Sequence, residues 1–133
     1  MSALVTDTHA LVWYLMRSPK LSAMALARMR TTVATGDPLL VPTMCIVEII
    51  YLIEKGRLPT IARERLVRHL DQPNSDLELA PLNREVADTV RRIPREQVPD
   101  MPDRIIAATA LHLGLPLVTR DGRIRASGIE TVW

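Results

Sequence analysis

The chain has little cysteine, lysine, glycine or aromatic side chain, and each shortage removes a class of function. A single cysteine, Cys45, excludes an internal disulfide framework and fits a reducing compartment. Phenylalanine is absent, and the aromatics are only Trp13, Tyr14, Tyr51 and Trp133. Recognition of bases on serial aromatic platforms is therefore disfavoured. Only five glycines occur, and none builds a Walker-type loop or a dinucleotide fingerprint. His9, His69 and His112 show no zinc-type spacing with Cys45. No serine or cysteine nucleophile pairs with a histidine base in any motif. The longest apolar stretch, around residues 44–53, is about half a membrane span and carries a charge. No basic-then-apolar leader opens the chain. The expectation is a cytoplasmic protein with no membrane association.

What is present describes an ordinary globular chain. Its 133 residues suit one domain with one core, spanning 1–133. Hydrophobic residues make up 47% and charged residues 24%, which leaves enough apolar surface to bury. Net charge is only +2, a mild hint of nucleic-acid contact. Of 17 basic residues only Lys20 and Lys55 are lysines, so the positive charge is nearly all guanidinium. Arginine forks bind phosphate bidentately, although genomic base composition produces the same bias.

Short apolar runs alternate with helical patterns. Strands are expected at Ala3–Thr6, Leu39–Val41, Leu77–Ala80, Leu115–Thr119 and Ile129–Val132. Asp7 or Thr8 caps a first helix, Ser22 a second and Asn83 a later one running to Pro94. Pro42-Thr43 opens a helix that is apolar on nearly every side through Ile53, and Pro59 leads a basic amphipathic one. Asp121-Gly122 reads as a turn. This order predicts an α/β fold with a mainly parallel sheet covered by helices on both faces.

In such sheets, sites form at the carboxyl ends of the strands. Asp7 directly follows the first strand, and Asp121 follows the fourth by two residues. Asp100 and Asp103 open the helix that feeds the fourth strand. Pro102 suits the first helical position there, and Asp103 suits its positive dipole end. Glu48 lies mid-helix among Met44, Cys45, Val47, Ile49, Tyr51 and Leu52, with no polar face to occupy. An ionised carboxylate there is costly unless paired or metal-bound. Each acid has a bland reading: a cap for Asp7, a turn for Asp121, dipole compensation for Asp103, an arginine pair for Glu48. Together, Asp7, Glu48, Asp103 and Asp121 are positions one pocket could collect. Four carboxylates in a pocket repel one another, and a hard divalent cation with oxygen ligands, Mg²⁺ or Mn²⁺, removes the repulsion.

Val5-Thr6-Asp7-Thr8-His9-Ala10-Leu11, Val47-Glu48-Ile49, Asp100-Met101-Pro102-Asp103-Arg104-Ile105-Ile106-Ala107-Ala108-Thr109-Ala110 and Val118-Thr119-Arg120-Asp121 together resemble a PIN domain. More narrowly, they resemble the VapC-type ribonuclease toxins of toxin–antitoxin pairs. The resemblance runs from near residue 3 to the end and implies a five-stranded parallel sheet of order 3-2-1-4-5. It implies Asp7, Glu48, Asp103 and Asp121 as catalytic and metal-binding acids. Asp100 matches an additional acid, Thr119 a hydroxyl that orders the site, and Arg104 a basic position beside the metal acids. It further implies an Mg²⁺- or Mn²⁺-dependent endoribonuclease leaving a 5′-phosphate and a 3′-hydroxyl. RNA with single-stranded or looped regions is the implied substrate. A small VapB-type antitoxin, lying in a groove made by the early helices, and a second copy in a homodimer are the implied partners. Two alternatives remain. One is a non-catalytic PIN-like binding or assembly module. The other is a receiver-type phosphoacceptor domain, which would need a lysine near the later strands, and none follows Lys55.

Overall fold

The computed structural model describes residues 3–133. Five short strands form one sheet: β1 (Leu4–Thr6), β2 (Leu39–Pro42), β3 (Leu77–Ala80), β4 (Leu117–Val118) and β5 (Thr131–Val132). All pairs are parallel, and the order is β3-β2-β1-β4-β5. Central strands buried on both faces read as continuous apolar runs, and Leu4, Val5, Leu39, Val41, Leu117 and Val118 are buried. Edge strand β3 exposes its two middle residues. This order is not the 2-1-3-4-5 arrangement of receiver-type domains, so that alternative is dropped.

The helices are α1 (Thr8–Leu15), α2 (Ala23–Ala34), α3 (Thr43–Glu54), α4 (Ile61–Asp71), α5 (Arg84–Thr89), α6 (Met101–Leu113) and α7 (Gly122–Arg125). A 3-10 helix, Val90–Arg92, continues α5. The chain steps one way along the sheet from β1 to β3, then returns to place β4 and β5 on the other side of β1. Right-handed crossovers travelling in opposite directions put their helices on opposite faces. Leu11, Met29, Ile49, Leu66 and Ile106 supply buried helical side chains to the core.

Caps fix where most helices begin. Asp7, Ser22, Asn83 and Asp100 each accept a hydrogen bond from the backbone N–H three residues on. At the far end of α6, Gly114 adopts a left-handed φ of 66°, which stops the helix. Arg65 of α4 donates to the Leu15 carbonyl at 3.0 Å, satisfying the end of α1.

Several expectations need correction. Asp121-Gly122 is not a simple turn. Asp121 caps α7, its Oδ1 accepting from Arg123 and Ile124 N–H. The helix begun by Asn83 tightens to 3-10 geometry at Val90, well before Pro94. Helix α6 begins at Met101, so Asp100 is its cap and Pro102 its second residue. The apolar helix α3 is also not buried all round. Cys45, Ile49 and Leu52 face the core, while Val47, Ile50 and Tyr51 are exposed. The fold covers one side of that helix and leaves an apolar stripe on the other.

Candidate functional site

The reversal of strand order falls between β1 and β4, where two connections leave the sheet in opposite directions. Such a switch point leaves a crevice at the strands' carboxyl ends. Asp7 stands at the end of β1, and its N–H donates to the Val118 carbonyl of β4 at 3.1 Å. Thr119 and Asp121 follow β4. Helix α3 leaves the carboxyl end of β2 and carries Glu48, and α6 packs against α3 and presents Asp100 and Asp103.

Asp7 is 8% exposed, and its Oδ1 accepts from Ala10 N–H at 2.8 Å. Burial raises its pKa. The Thr119 hydroxyl, the Ala10 N–H and nearby His9 act against the rise, and the Glu48 charge adds to it. Thr119 is fully buried and also accepts from Asp121 N–H at 3.0 Å, so one hydroxyl ties the first acid to the last. Thr8 donates its hydroxyl to Glu48 Oε1. That contact replaces the arginine pair the sequence left open for Glu48. The motif reading missed Thr8, although a hydroxyl beside a strand-end aspartate was its available signal.

Glu48, Asp100 and Asp103 form the tightest group. One carboxylate oxygen from each lies within 4.8 Å of the others. Asp100 also accepts from Asp103 N–H at 3.1 Å, so the cap and the first-turn acid share one end of α6. Burial, then the charges of Asp100, Asp121, Glu48 and Asp7, push Asp103 up to about 7. Every one of these influences raises it. Among the described residues none of these acids makes an ion pair with an arginine or lysine, in contrast to Asp88 with Arg91. Asp7 and Asp121 stand outside the tight group but act on Asp103 through their charge.

Arg104 makes no ion pair with these acids. Its Nε donates to the Ile93 carbonyl and its Nη2 to the Val90 carbonyl, both at 3.1 Å. The guanidinium is spent on the end of the 3-10 helix, where it is a second donor to the Val90 carbonyl, which already accepts from Ile93 N–H, and caps that of Ile93.

The donor set tests what the cluster could hold. It offers carboxylate oxygens only, in excess of any nearby positive charge. Nitrogen and sulfur ligands are absent from the group, and the buried Cys45 thiol, raised by burial, donates instead to the Thr6 carbonyl at 3.7 Å. Oxygen-only ligation with net negative charge fits a hard divalent cation.

A second concavity lies away from the acids. A groove of about 1180 Å³ runs among α1, α2 and α4, with Trp13, Tyr14, Leu21 and Leu26 among its apolar lining. Arg17, Arg30, Arg65, Arg68 and His69 line it as well, against Asp76 as its one acid.

A PIN domain family model matches residues 4–129. Ribonuclease VapC22 of Mycobacterium tuberculosis is 27% identical over 126 residues, covering 95% of this chain and 92% of that protein. Among solved structures, VapBC2 from Rickettsia felis bound to a DNA fragment from their promoter has a TM-score of 0.71 at 14% identity. That match covers 97% of this chain and 96% of the other. DNA-bound VapBC from Salmonella typhimurium has a TM-score of 0.66 at 23% identity, covering 98% and 97%. At such identities the structural likeness shows the fold.

Proposed function

This chain belongs to the PIN domain family, and on that premise we propose that it is a metal-dependent endoribonuclease, the toxin of a toxin–antitoxin pair. The observation that carries the proposal is the uncompensated carboxylate cluster at the switch point of the sheet. Its likeness to ribonuclease VapC22 supplies the substrate class. One domain spans residues 1–133.

Glu48, Asp100 and Asp103 are the residues that would hold Mg²⁺ or Mn²⁺, with Asp7 beside them and Asp121 tied in through Thr119. A bound divalent cation supplies charge stabilisation at a phosphodiester and lowers the pKa of water. The chain's own residues do the rest. Thr8 fixes the Glu48 carboxylate, and Ala10 N–H fixes that of Asp7. Thr119 holds Asp7 and the backbone of Asp121 in one arrangement. Asp103, near 7 without a cation, would hold one as the carboxylate, so metal binding would be favoured as pH rises. Single-stranded or looped RNA is the substrate of this reading, because splayed nucleotides expose their backbone and base edges to a protein site.

The antitoxin would occupy the groove among α1, α2 and α4, where an apolar floor and a basic rim suit an amphipathic acidic segment. The exposed stripe of α3 would meet a second copy. No helix among the described residues is long and apolar enough to cross a membrane.

The decisive test is cleavage of a mixed pool of structured RNAs by the purified protein. It is run with Mg²⁺, with EDTA, and with the Asp103→Ala protein. Cleavage that needs both the metal and Asp103 is expected, with 5′-phosphate ends. No cleavage under any condition, together with no Mg²⁺ binding by calorimetry, leaves the non-catalytic binding module instead.

A further inference from the structure

A group of tilted rings and one cation is built from residues next in the chain to Asp7, Thr119 and Asp121, around Trp13 at the edge of the α1–α2–α4 groove. His9 and Trp13 lie one turn apart on α1, their rings 5.6 Å apart at 45°. Trp133, directly after β5, lies 5.9 Å from Trp13 at 58°. The Arg120 guanidinium carbon sits 4.6 Å from the centre of a Trp13 ring. The chain itself ties this stack to the site, since Arg120 separates Thr119 from Asp121 and His9 is the second residue after Asp7.

The exposures of these residues divide the labour. Trp13 is buried and forms a fixed wall, while His9 and Arg120 are exposed. Among the described residues the Arg120 side chain makes no hydrogen bond and no ion pair, although an aspartate is its next neighbour. Arg65 and Arg104, by contrast, spend their guanidinium groups on backbone carbonyls. Stacking on an indole engages the face of a guanidinium and leaves its N–H fork unspent. A guanidinium held over a ring, with no N–H group spent on the protein, is available to the two oxygens of a phosphate. A polyanion approaching a group of carboxylates also needs an anchor beside them, and no acid of the cluster pairs with Arg120.

We infer that Arg120, stacked on Trp13 and flanked by His9, binds the RNA phosphate next to the scissile one, on the β5 side of the acids. The identity of the ligand rests on the nuclease reading above; the stack and its free fork do not. Arg120 is thus a substrate-binding residue, and its effect falls on affinity and on salt dependence.

The test is binding of a fluorescently labelled, short single-stranded RNA by anisotropy, at several salt concentrations with Mg²⁺ present. All proteins carry Asp103→Asn so that the RNA stays intact. Adding Arg120→Ala is expected to weaken binding about tenfold. It should also reduce the slope of log K against log salt by about 0.7, the value of one phosphate contact in a single strand. Arg120→Lys should keep the slope and lose part of the affinity, because it retains charge without the fork. The thermal midpoint should stay with the parent protein. Unchanged affinity and slope in Arg120→Ala would overturn the inference, as would a fall in thermal midpoint with affinity intact, which makes Arg120 a clamp on Trp13. Arg120-dependent binding by a protein whose wild type never cuts RNA sinks the nuclease reading and leaves Arg120 as a phosphate contact of an RNA-binding module. Cleavage by the wild type with no effect of Arg120→Ala on binding does the reverse. No RNA binding by any of the proteins removes both.

Discussion

Asp103 is held near 7, against an ordinary value of 3.8, by burial and by the four carboxylates around it. Between those two values the folded chain keeps a proton that the unfolded chain has released. Stability must therefore fall as pH rises from about 4 to about 7, and the full cost is present above that window. Asp7, also raised by burial, acts in the same direction. In EDTA, the thermal midpoint of the wild-type protein should drop between pH 5 and pH 8, and Asp103→Asn should flatten that drop. Mg²⁺ at pH 8 should restore much of it, by binding the folded state alone. If Asp103→Asn loses stability with pH as steeply as the wild type, the cluster does not strain the fold. Asp7→Asn gives a separate test, because an amide oxygen can still accept from Ala10 N–H and keep the cap of α1. That variant is expected to fold normally and to cut no RNA; cleavage that survives it would take Asp7 out of the site. Strand ends and helix starts made Asp7, Asp103 and Asp121 legible as candidates in the sequence. The place of Asp100 was less legible, since a cap reads the same whether it faces solvent or a third carboxylate across from α3.

The same divide between local and tertiary information appears in the elements. Cap residues placed the starts of α1, α2 and α5 correctly, because an N-cap bond is made within three residues. The identity of α7 was hidden, because Asp-Gly satisfies a turn and a helix start with the same local chemistry. Arg104 shows the limit most clearly. Its position beside Asp103 in sequence marked it as a partner of the acids, yet its side chain crosses to the Val90 and Ile93 carbonyls. It is a tie between α6 and the 3-10 helix that follows α5. Arg104→Ala strands the Ile93 carbonyl and leaves that of Val90 with Ile93 N–H alone, and it should cost about 1–3 kcal/mol in urea unfolding. Cleavage by the protein that remains folded should be near the wild-type rate. A variant of full stability and lost cleavage would return Arg104 to the acid cluster and make its carbonyl contacts incidental.

Strand order is a property of the whole molecule, and neither periodicity nor composition encodes which strands become neighbours. Alternating elements gave the α/β class, while the order 3-2-1-4-5 came from the likeness of the four motifs to a family. The surface of α3 belongs to the same scale. Its sequence is apolar nearly all round, which reads as a buried helix. The fold covers the Cys45, Ile49 and Leu52 side of α3 and leaves its other side uncovered. Val47, Ile50 and Tyr51 stay 56%, 38% and 52% exposed, at spacings of three and four residues that make one stripe. Lys55 lies 5.2 Å over the Tyr51 ring and places a charge at one end of that stripe. A single helix meeting its own copy across a two-fold axis presents the same stripe twice and needs no second complementary surface. Light scattering should therefore find the wild-type protein dimeric, and Val47→Asp with Tyr51→Glu should make it monomeric. Both substitutions are on the exposed side of α3, so far-ultraviolet dichroism should not change. A wild-type monomer, or a dimer that survives both charges, would leave the stripe to another partner. Because Glu48 occupies the same helix between Val47 and Ile49, a dimer formed there also sets two acid clusters beside one interface. Loss of the dimer should then weaken RNA cleavage even though every carboxylate is intact.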